Sequence, residues 1–251
     1  MRILLVNPNT TVSMTEKMVA AGSAVVGAGT TLTNATAAFG PESIEGYYDE
    51  VFCVPALLEA IRADGDSGPG AGTGADAVVI GCFDDTGVDA ARCIVDVPVI
   101  GLCQAAMQFA SVLAASFSVV TTLGRSIPPL EDLARRYGFA ERCRRVRASE
   151  VPVLDLERGD GAALGLIRAE IAAALRDDGA EAIVLGCAGM ADLARDLSVE
   201  FAVPVVEGVT AAIKTVEGLA AIGLRTSKAG GYAPPRAKRY GGGFARFAPD
   251  G

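Results

Sequence analysis

Short runs of aliphatic residues recur along the chain, separated by longer stretches with a helical pattern. The runs lie at 2–6, 77–81, 97–102, 117–122, 182–186 and 203–206. Continuous aliphatic character indicates buried strands of a parallel sheet, because such strands are covered on both faces. A further strand is predicted at 30–38. Between the runs, apolar residues return every three or four positions, as on the buried face of a helix. The pattern therefore predicts an α/β protein.

Two of these runs are near-copies of each other. Residues 75–82 read Ala-Asp-Ala-Val-Val-Ile-Gly-Cys, and residues 180–187, which lie 105 positions later, read Ala-Glu-Ala-Ile-Val-Leu-Gly-Cys. A Val-Pro-Val sequence follows each copy, with its proline 16 or 17 residues after the cysteine. The repeat predicts two similar halves, each carrying one cysteine at the end of a buried strand. These cysteines are Cys82 and Cys187.

The repeat also divides the chain. We predict an N-terminal α/β half at 1–110 that carries Cys82 and is completed by a helix at 207–223, and a C-terminal half at 111–206 that carries Cys187. The remaining segment, 229–251, is rich in glycine and proline and mildly basic, so we expect a flexible tail or an arm laid on a neighbouring subunit. The glycine-rich stretch 64–74 precedes a strand, whereas a phosphate-binding loop would follow one.

Composition limits the possible partners. The 251 residues carry a net charge of −8, which argues against a nucleic-acid partner. No apolar run approaches the length of a membrane-spanning helix, so no membrane association is predicted. The first apolar run is too short for a signal peptide. We therefore expect a cytoplasmic enzyme that acts on a small molecule.

The chain has six cysteines and no histidine. No two cysteines are separated by fewer than ten residues, so there is no C-x-x-C motif for zinc or redox chemistry. The lack of histidine removes the cysteine–histidine dyad, the serine triad and every histidine-based metal site. We therefore predict no metal and no cofactor. Proton chemistry must use cysteine, carboxylate, lysine or tyrosine side chains.

The strand-end cysteines suggest a mechanism. A thiol at a turn from strand to helix lies near free backbone N–H groups, which favour the thiolate. If the two halves face each other, one thiol can remove a proton from a carbon while the other delivers a proton to the opposite face. That is two-base racemisation, with nearby amides available to hold the enolate. A single buried cysteine is usually structural, and a disulfide is the other alternative; the duplicated context favours catalysis.

Polar residues beside these strand ends are further candidates. Asn7 and Asn9 follow the first strand, where ligands bind in open parallel sheets, although asparagines also simply make good turns. Gly81 and Gly186 precede the cysteines and would let a ligand approach the backbone. Asp85 or Thr86 is the predicted N-cap of the helix after Cys82.

At these residues the sequence resembles the hydantoin racemase and allantoin racemase family, within the aspartate/glutamate racemase superfamily. The resemblance runs from Met1 to about Lys238. The motifs that carry it are Asn7-Pro-Asn-Thr10, Ser43-Ile-Glu-Gly46, Gly81-Cys-Phe-Asp-Asp85, Pro98-Val-Ile-Gly101, Cys103-Gln-Ala-Ala106, Phe117-Ser-Val-Val-Thr-Thr122, Ile183-Val-Leu-Gly-Cys-Ala-Gly-Met190 and Gly223-Leu-Arg-Thr-Ser-Lys228.

The resemblance implies a cofactor-independent racemase of 5-monosubstituted hydantoins, built as two pseudo-symmetric α/β domains with the active site in the cleft between them. Cys82 and Cys187 would act on the C5 proton. The resemblance also implies a homo-oligomer, a tetramer or hexamer. The substrate-binding positions that it implies are Asn9, Phe83, Thr121, Thr122, Gly186 and Gly189.

Two features depart from the family pattern. Thr86 stands where the family usually has proline, which removes a rigid φ just beyond Cys82, and the insertion at 64–74 is longer than usual. Three alternatives stay open. The first is an allantoin racemase. The second is a maleate isomerase or decarboxylase type of enzyme, in which one cysteine is a covalent nucleophile. The third is a non-catalytic binding protein of the same fold.

Overall fold

The computed structural model of the chain describes residues 1–65, 73–157 and 161–249. Most of the glycine-rich stretch at 64–74 therefore lies outside the described residues. Within them, eight strands form two four-stranded sheets. The strands are β1 (Arg2–Asn7), β2 (Thr31–Thr36), β3 (Ala77–Ile80), β4 (Val99–Gly101), β5 (Phe117–Thr121), β6 (Cys143–Ala148), β7 (Ala182–Leu185) and β8 (Val205–Glu207).

The two sheets are wound in the same way. The first has the strand order β2-β1-β3-β4 and the second has the order β6-β5-β7-β8. Every pairing is parallel, with Leu5 opposite Val79 in the first sheet and Val119 opposite Val184 in the second. Both strands that precede the Gly-Cys pairs, β3 and β7, therefore occupy the same place in their sheets. The predicted α/β fold with two similar parallel halves is confirmed.

Helices cover both faces of these sheets. They are α1 (Val12–Ser23), α2 (Tyr47–Ala63), α3 (Val88–Ile94), α4 (Leu102–Leu113), α5 (Ile127–Arg136), α6 (Val153–Glu157), α7 (Gly161–Asp177), α8 (Ala194–Phe201) and α9 (Gly208–Ala221). Short 3₁₀ turns occur at 124–126, 188–190, 230–232 and 242–247. The first two turns of α2 carry exposed aromatic side chains.

Successive side chains along a strand point to opposite faces of the sheet, so they belong to different hydrophobic cores. In β1, Ile3 and Leu5 face a central core, whereas Leu4 and Val6 face an outer core with α2 and α3. Helices α4 and α9 lie in the central core, which also contains Phe117 of β5. One hydrophobic core therefore spans both halves and holds the two sheets together.

Helix α9 packs mainly against α1, α4, β1, β3 and β4, and it also contacts β8 of the second sheet. Glu207 caps its N-terminus by accepting hydrogen bonds from the backbone N–H groups of Val209 and Thr210, at 2.6 and 2.7 Å. Sequence reasoning missed this cap because glutamate is an uncommon N-cap residue. The boundaries of the two halves themselves stay a prediction.

The segment after α9 returns along the first half. Arg225 forms an ion pair with Asp96 at 2.7 Å, and Arg246 forms one with Glu59 at 2.8 Å. The Tyr232 hydroxyl donates to the carboxylate of Asp89 at 3.0 Å. These contacts lie within one chain, and the role of 229–251 as a flexible tail or an oligomer arm stays a prediction.

Candidate active site

A cleft lies where the carboxyl ends of β1 and β3 meet those of β5 and β7. It encloses about 430 Å³ of space, part of which is open to solvent. Every residue that the sequence assigned to substrate binding or catalysis lines it: Cys82, Cys187, Asn9, Phe83, Thr121, Thr122, Gly186 and Gly189. The fold therefore brings together residues from four strand ends in both halves.

The two cysteines are delivered by equivalent backbone geometry. The N–H of Gly81 donates to the carbonyl of Val6 at 2.8 Å, and the N–H of Gly186 donates to the carbonyl of Val120 at 2.8 Å. A Cβ on Gly81 would lie 2.7 Å from the Met18 sulfur. These glycines are therefore required by packing. Both glycines also line the cleft, and the suggestion that they make room for a ligand stays a prediction.

The thiol of Cys82 is buried, with 9% of the residue exposed. Its sulfur lies 3.8 Å from the hydroxyl oxygen of Thr86. Burial raises the pKa of Cys82 well above its ordinary value, and the nearby Asp84 carboxylate raises it further. The expectation of a favoured thiolate is therefore wrong for Cys82. Helix α3 begins only at Val88, so its N-terminus is too distant to offset desolvation.

Two carboxyl groups follow Cys82 directly. Asp84 lines the cleft, and burial raises its pKa to about 8, with further increases from Glu50 and Asp85. Burial also raises the pKa of Asp85, to about 6, although hydrogen bonds from Gln104, Cys103 and Tyr137 act in the opposite direction. The carboxyl groups of Asp84 and Asp85 therefore retain protons at pH values where exposed carboxyl groups have lost them.

Asp85 does not cap the helix that follows it. Helix α3 starts after Gly87, which has a positive φ of 78° and makes no side-chain cap. The Asp85 carboxylate instead accepts hydrogen bonds from the backbone N–H groups of Cys103 and Gln104, both at 2.9 Å. These N–H groups lie in the first turn of α4. The predicted N-cap role for Asp85 or Thr86 on α3 is therefore wrong, and Asp85 caps the next helix.

The asparagines after β1 divide their roles. Asn9 lines the cleft, and its amide nitrogen lies 3.3 Å from the Met14 sulfur. The Asn7 amide donates to the side-chain oxygens of Asn9 and Thr15, both at 3.0 Å. Asn7 is thus a turn-forming residue that holds Asn9 in position, and a ligand-binding role for Asn9 stays a prediction.

The second half contributes hydroxyl groups and Cys187. The Thr121 hydroxyl donates to the carbonyl of Gly186 at 2.9 Å and so fixes the chain just before Cys187. Thr122 and Ser126 are buried and line the cleft, and in the described part of the chain no hydrogen bond engages their hydroxyl groups. Both hydroxyls are available to a ligand.

Several lining residues escaped sequence reasoning. They are Met14, Ile44, Asp84, Ser126, Val153 and Ala188. Ile44 lies in the Ser43–Gly46 motif and Asp84 follows Phe83, so both could have been found there. Met14, Ser126 and Val153 come from helices and turns whose approach to the cleft depends on tertiary folding. Met14, Ile44 and Val153 give the cleft an apolar wall.

Neither a metal cluster nor a membrane helix is found within residues 1–65, 73–157 and 161–249. No group of three or more histidine, cysteine, aspartate or glutamate side chains there is arranged to hold a metal ion. No helix in those ranges is long and apolar enough to cross a bilayer.

Two equally wound parallel sheets that present one thiol each to a shared cleft define a racemase-type α/β protein. The model of the Asp/Glu/hydantoin racemase family matches residues 3–216, and the chain belongs to that family. The hydantoin racemase of Rhizobium meliloti is 47% identical over 96% of this chain and 98% of its own. That of Pseudomonas sp. (strain NS671) is 41% identical over 98% of this chain and 97% of its own. The solved allantoin racemase of Klebsiella pneumoniae is 43% identical, covers 99% of both chains and superposes with a TM-score of 0.92.

Proposed function

We propose that the protein racemises 5-monosubstituted hydantoins without a cofactor, with Cys82 and Cys187 as its two acid–base groups. One observation carries the proposal: the thiols come from equivalent strand ends of two equally wound sheets and line one cleft. The names of the two curated relatives support the choice of a hydantoin. The other residues that the sequence assigned to substrate binding surround the thiols in this proposal.

The reaction removes one proton from C5 of the hydantoin and adds one proton to the same carbon. A thiolate takes the proton from C5, and the electron pair of the C–H bond moves into the ring to form an enolate with its charge on the C4 oxygen. The second thiol gives its proton to the opposite face of C5, and the carbonyl reforms. The raised pKa of Cys82 makes it a protonated thiol near neutral pH, so it enters the cycle as the proton donor.

The charge of the cleft favours a neutral substrate. No lysine or arginine is among its described lining residues, and Asp84 is the ionisable carboxyl group among them. A diacid such as maleate would find no cationic partner among these lining residues, which is unfavourable in a buried site. A hydantoin ring is uncharged at neutral pH and offers carbonyl and N–H groups to the surrounding polar side chains.

Allantoin is the second candidate substrate. The hydroxyls of Thr122 and Ser126 could bind its ureido group, whereas the apolar wall of Met14, Ile44 and Val153 suits an apolar substituent. The name of the Klebsiella pneumoniae relative also favours allantoin. Comparing the wild type with Ser126→Ala tests the choice. If Ser126 binds a ureido group, kcat/KM should fall about tenfold for allantoin and stay near its original value for 5-benzylhydantoin.

The decisive experiment uses enantiopure 5-benzylhydantoin and, separately, enantiopure allantoin in deuterium oxide. Optical rotation and the C5 proton signal are followed together, against a control without enzyme because hydantoins racemise slowly unaided. Loss of rotation with deuterium uptake on benzylhydantoin supports the hydantoin assignment. The same result on allantoin alone moves the assignment to allantoin racemase. No acceleration of either would overturn the proposed function.

We further expect a homo-oligomer, a tetramer or hexamer, that works in the cytoplasm. Exposed apolar side chains on the first turns of α2 support self-association, because they form a patch that water solvates poorly. They are Tyr47, Tyr48, Val51 and Phe52. Light scattering of the purified protein over a range of concentrations measures the subunit number, and a monomer at all concentrations would contradict the expectation.

A further inference from the structure

Asp84 combines two properties that the two-thiol mechanism does not use. Asp84 lines the cleft two residues after Cys82. Within the described residues its carboxyl group has no hydrogen-bond partner. The neighbouring Asp85, by contrast, is fully engaged by two backbone N–H groups and a tyrosine hydroxyl. One carboxyl of the pair is therefore structural, and the other is not engaged by the described residues.

Among the described residues, acids and thiols surround Asp84, and no cation there contributes to its pKa. Glu50 and Cys53 face it from α2, Cys82 and Asp85 from its own loop, and Cys103 from α4. Glu50 places a buried carboxyl oxygen behind it that lacks any hydrogen-bond partner in the described chain. Two carboxyl groups so placed repel each other when both are ionised, so the charge of Glu50 raises the pKa of Asp84 beyond the effect of burial.

We propose that Asp84, as an uncharged carboxylic acid, donates a hydrogen bond to a carbonyl oxygen of the substrate on the Cys82 side of the cleft. This inference rests on the proposed function. A neutral acid is a strong donor that adds no charge to the ground state, and its bond strengthens as negative charge develops on the enolate oxygen. The cleft then offers a donor for the charge that deprotonation of C5 creates.

The same proton also helps the thiol. An ionised Asp84 makes the neighbouring Cys82 thiolate harder to form, because the two negative charges repel. A protonated Asp84 removes that repulsion. The protonated form of Asp84 thus favours the reaction in two ways: it binds the substrate oxygen, and it makes the Cys82 thiolate easier to form. Glu50 is a positioning residue in this arrangement, because its negative charge keeps the proton on Asp84.

The test measures kcat/KM for C5 proton exchange as a function of pH in the wild type and in three variants, with a fourth variant as the control. Burial raises the pKa of Asp84 to about 8, so wild-type kcat/KM should fall as pH rises through about 8. Asp84→Asn keeps a neutral donor and should lose this fall. Glu50→Gln removes the neighbouring charge and should move it about one pH unit lower. Asp84→Ala removes the donor and should lower kcat/KM about 100-fold.

The matched control is Asp132→Asn, the same change at an exposed site on α5, which should leave the profile unchanged. Ionisation of the substrate is common to all variants, so only differences between profiles count. If the wild type catalyses exchange and the pH profiles of Asp84→Asn and Glu50→Gln both coincide with the wild-type profile, this inference is overturned and the proposed function stands. Absence of exchange by the wild type would overturn both.

Discussion

The hydroxyl of Tyr137 donates a hydrogen bond of 2.8 Å to the carboxylate of Asp85. Asp85 follows the Cys82 loop of the first half, whereas Tyr137 ends α5 in the second half. The same carboxylate caps α4, the helix that lies in the central core between the sheets. One buried side chain therefore links the loop of a candidate catalytic cysteine, the core helix and the opposite half.

Tyr137→Phe should destabilise the protein by about 2 kcal/mol, because it removes a hydrogen bond to a charged, buried acceptor and keeps the ring. Burial and the adjacent Asp85 raise the pKa of Tyr137, so its hydroxyl remains a donor throughout the accessible pH range. Urea unfolding at pH 7.5 measures the change. Tyr48→Phe is the control, since that residue is 74% exposed, and it should leave the midpoint unchanged. Equal midpoints for all three proteins would mean that the contact does not stabilise the fold.

Asp85 also shows where sequence reasoning ends. Its position just before a helical pattern predicted a local cap on α3, and local spacing carries no other information. The actual partners are N–H groups 18 and 19 residues away along the chain, on α4. Those N–H groups are reached only once β3 and β4 have paired. Contacts of this kind depend on tertiary folding and leave no periodic signal.

The residues of the candidate site likewise divide into those that the sequence predicts and those that it does not. Gly-Cys pairs after two matching aliphatic runs predicted that Cys82 and Cys187 would meet, because parallel strands of equal winding end at one edge. Val153 and Ser126 could not be predicted, since each arrives from a turn or short helix. The ionisation of Cys82 was predicted wrongly for a related reason. Desolvation depends on everything packed around the sulfur, whereas the sequence displays only the neighbouring helix.

Stability should fall as pH rises from about 4 to about 8. Asp84 and Asp85 have pKa values raised to about 8 and about 6, so in this range the folded protein binds more protons than the unfolded chain. The free energy of unfolding then falls by up to about 1.4 kcal/mol per pH unit for each such carboxyl group.

Asp84→Asn removes the larger of these two effects. The variant's excess in unfolding free energy over the wild type should therefore be larger at pH 8 than at pH 5. Urea titrations at both pH values measure the difference. A wild type that is equally stable at pH 5 and pH 8, with no gain from the substitution, would contradict the ionisation that we assign to Asp84.

Gly186 and Gly189, which flank Cys187, should respond differently to alanine. A Cβ on Gly186 would lie 2.8 Å from the Cβ and 3.0 Å from the Cα of Thr121, so the backbone must shift. We expect Gly186→Ala to cost about 2 kcal/mol of stability and most of the activity. A Cβ on Gly189 would lie at ordinary contact distances, 3.6 Å from the Cys187 sulfur and 3.7 Å from Leu156.

Gly189→Ala is therefore the control for folding, and its stability should stay within about 0.5 kcal/mol of the wild type. Its added methyl lies beside the thiol, so bulky hydantoins should be slowed more than small ones. Thermal unfolding and a substrate-size series separate the two effects. If both variants lost stability equally, the close approach between Gly186 and Thr121 would not explain the glycine.

Serine variants of the two cysteines test the division of labour between them. Because a serine hydroxyl is a far weaker acid than a thiol, Cys82→Ser and Cys187→Ser should each lower racemisation at least about 1000-fold. Each variant keeps one thiol, which can still remove a C5 proton and return deuterium to the same face. One enantiomer should therefore exchange with retention in the first variant, and the other enantiomer in the second.

Chiral chromatography combined with mass spectrometry in deuterium oxide separates exchange from inversion. Cys93→Ser is the matched control, because Cys93 lies outside the cleft with its sulfur 3.6 Å from the carbonyl of Gly231, and the variant should racemise at the wild-type rate. Full racemisation by either cleft variant would exclude a two-thiol mechanism. Exchange of the same enantiomer in both variants would show instead that the thiols approach C5 from one side, which would conflict with the cleft geometry that two facing halves impose.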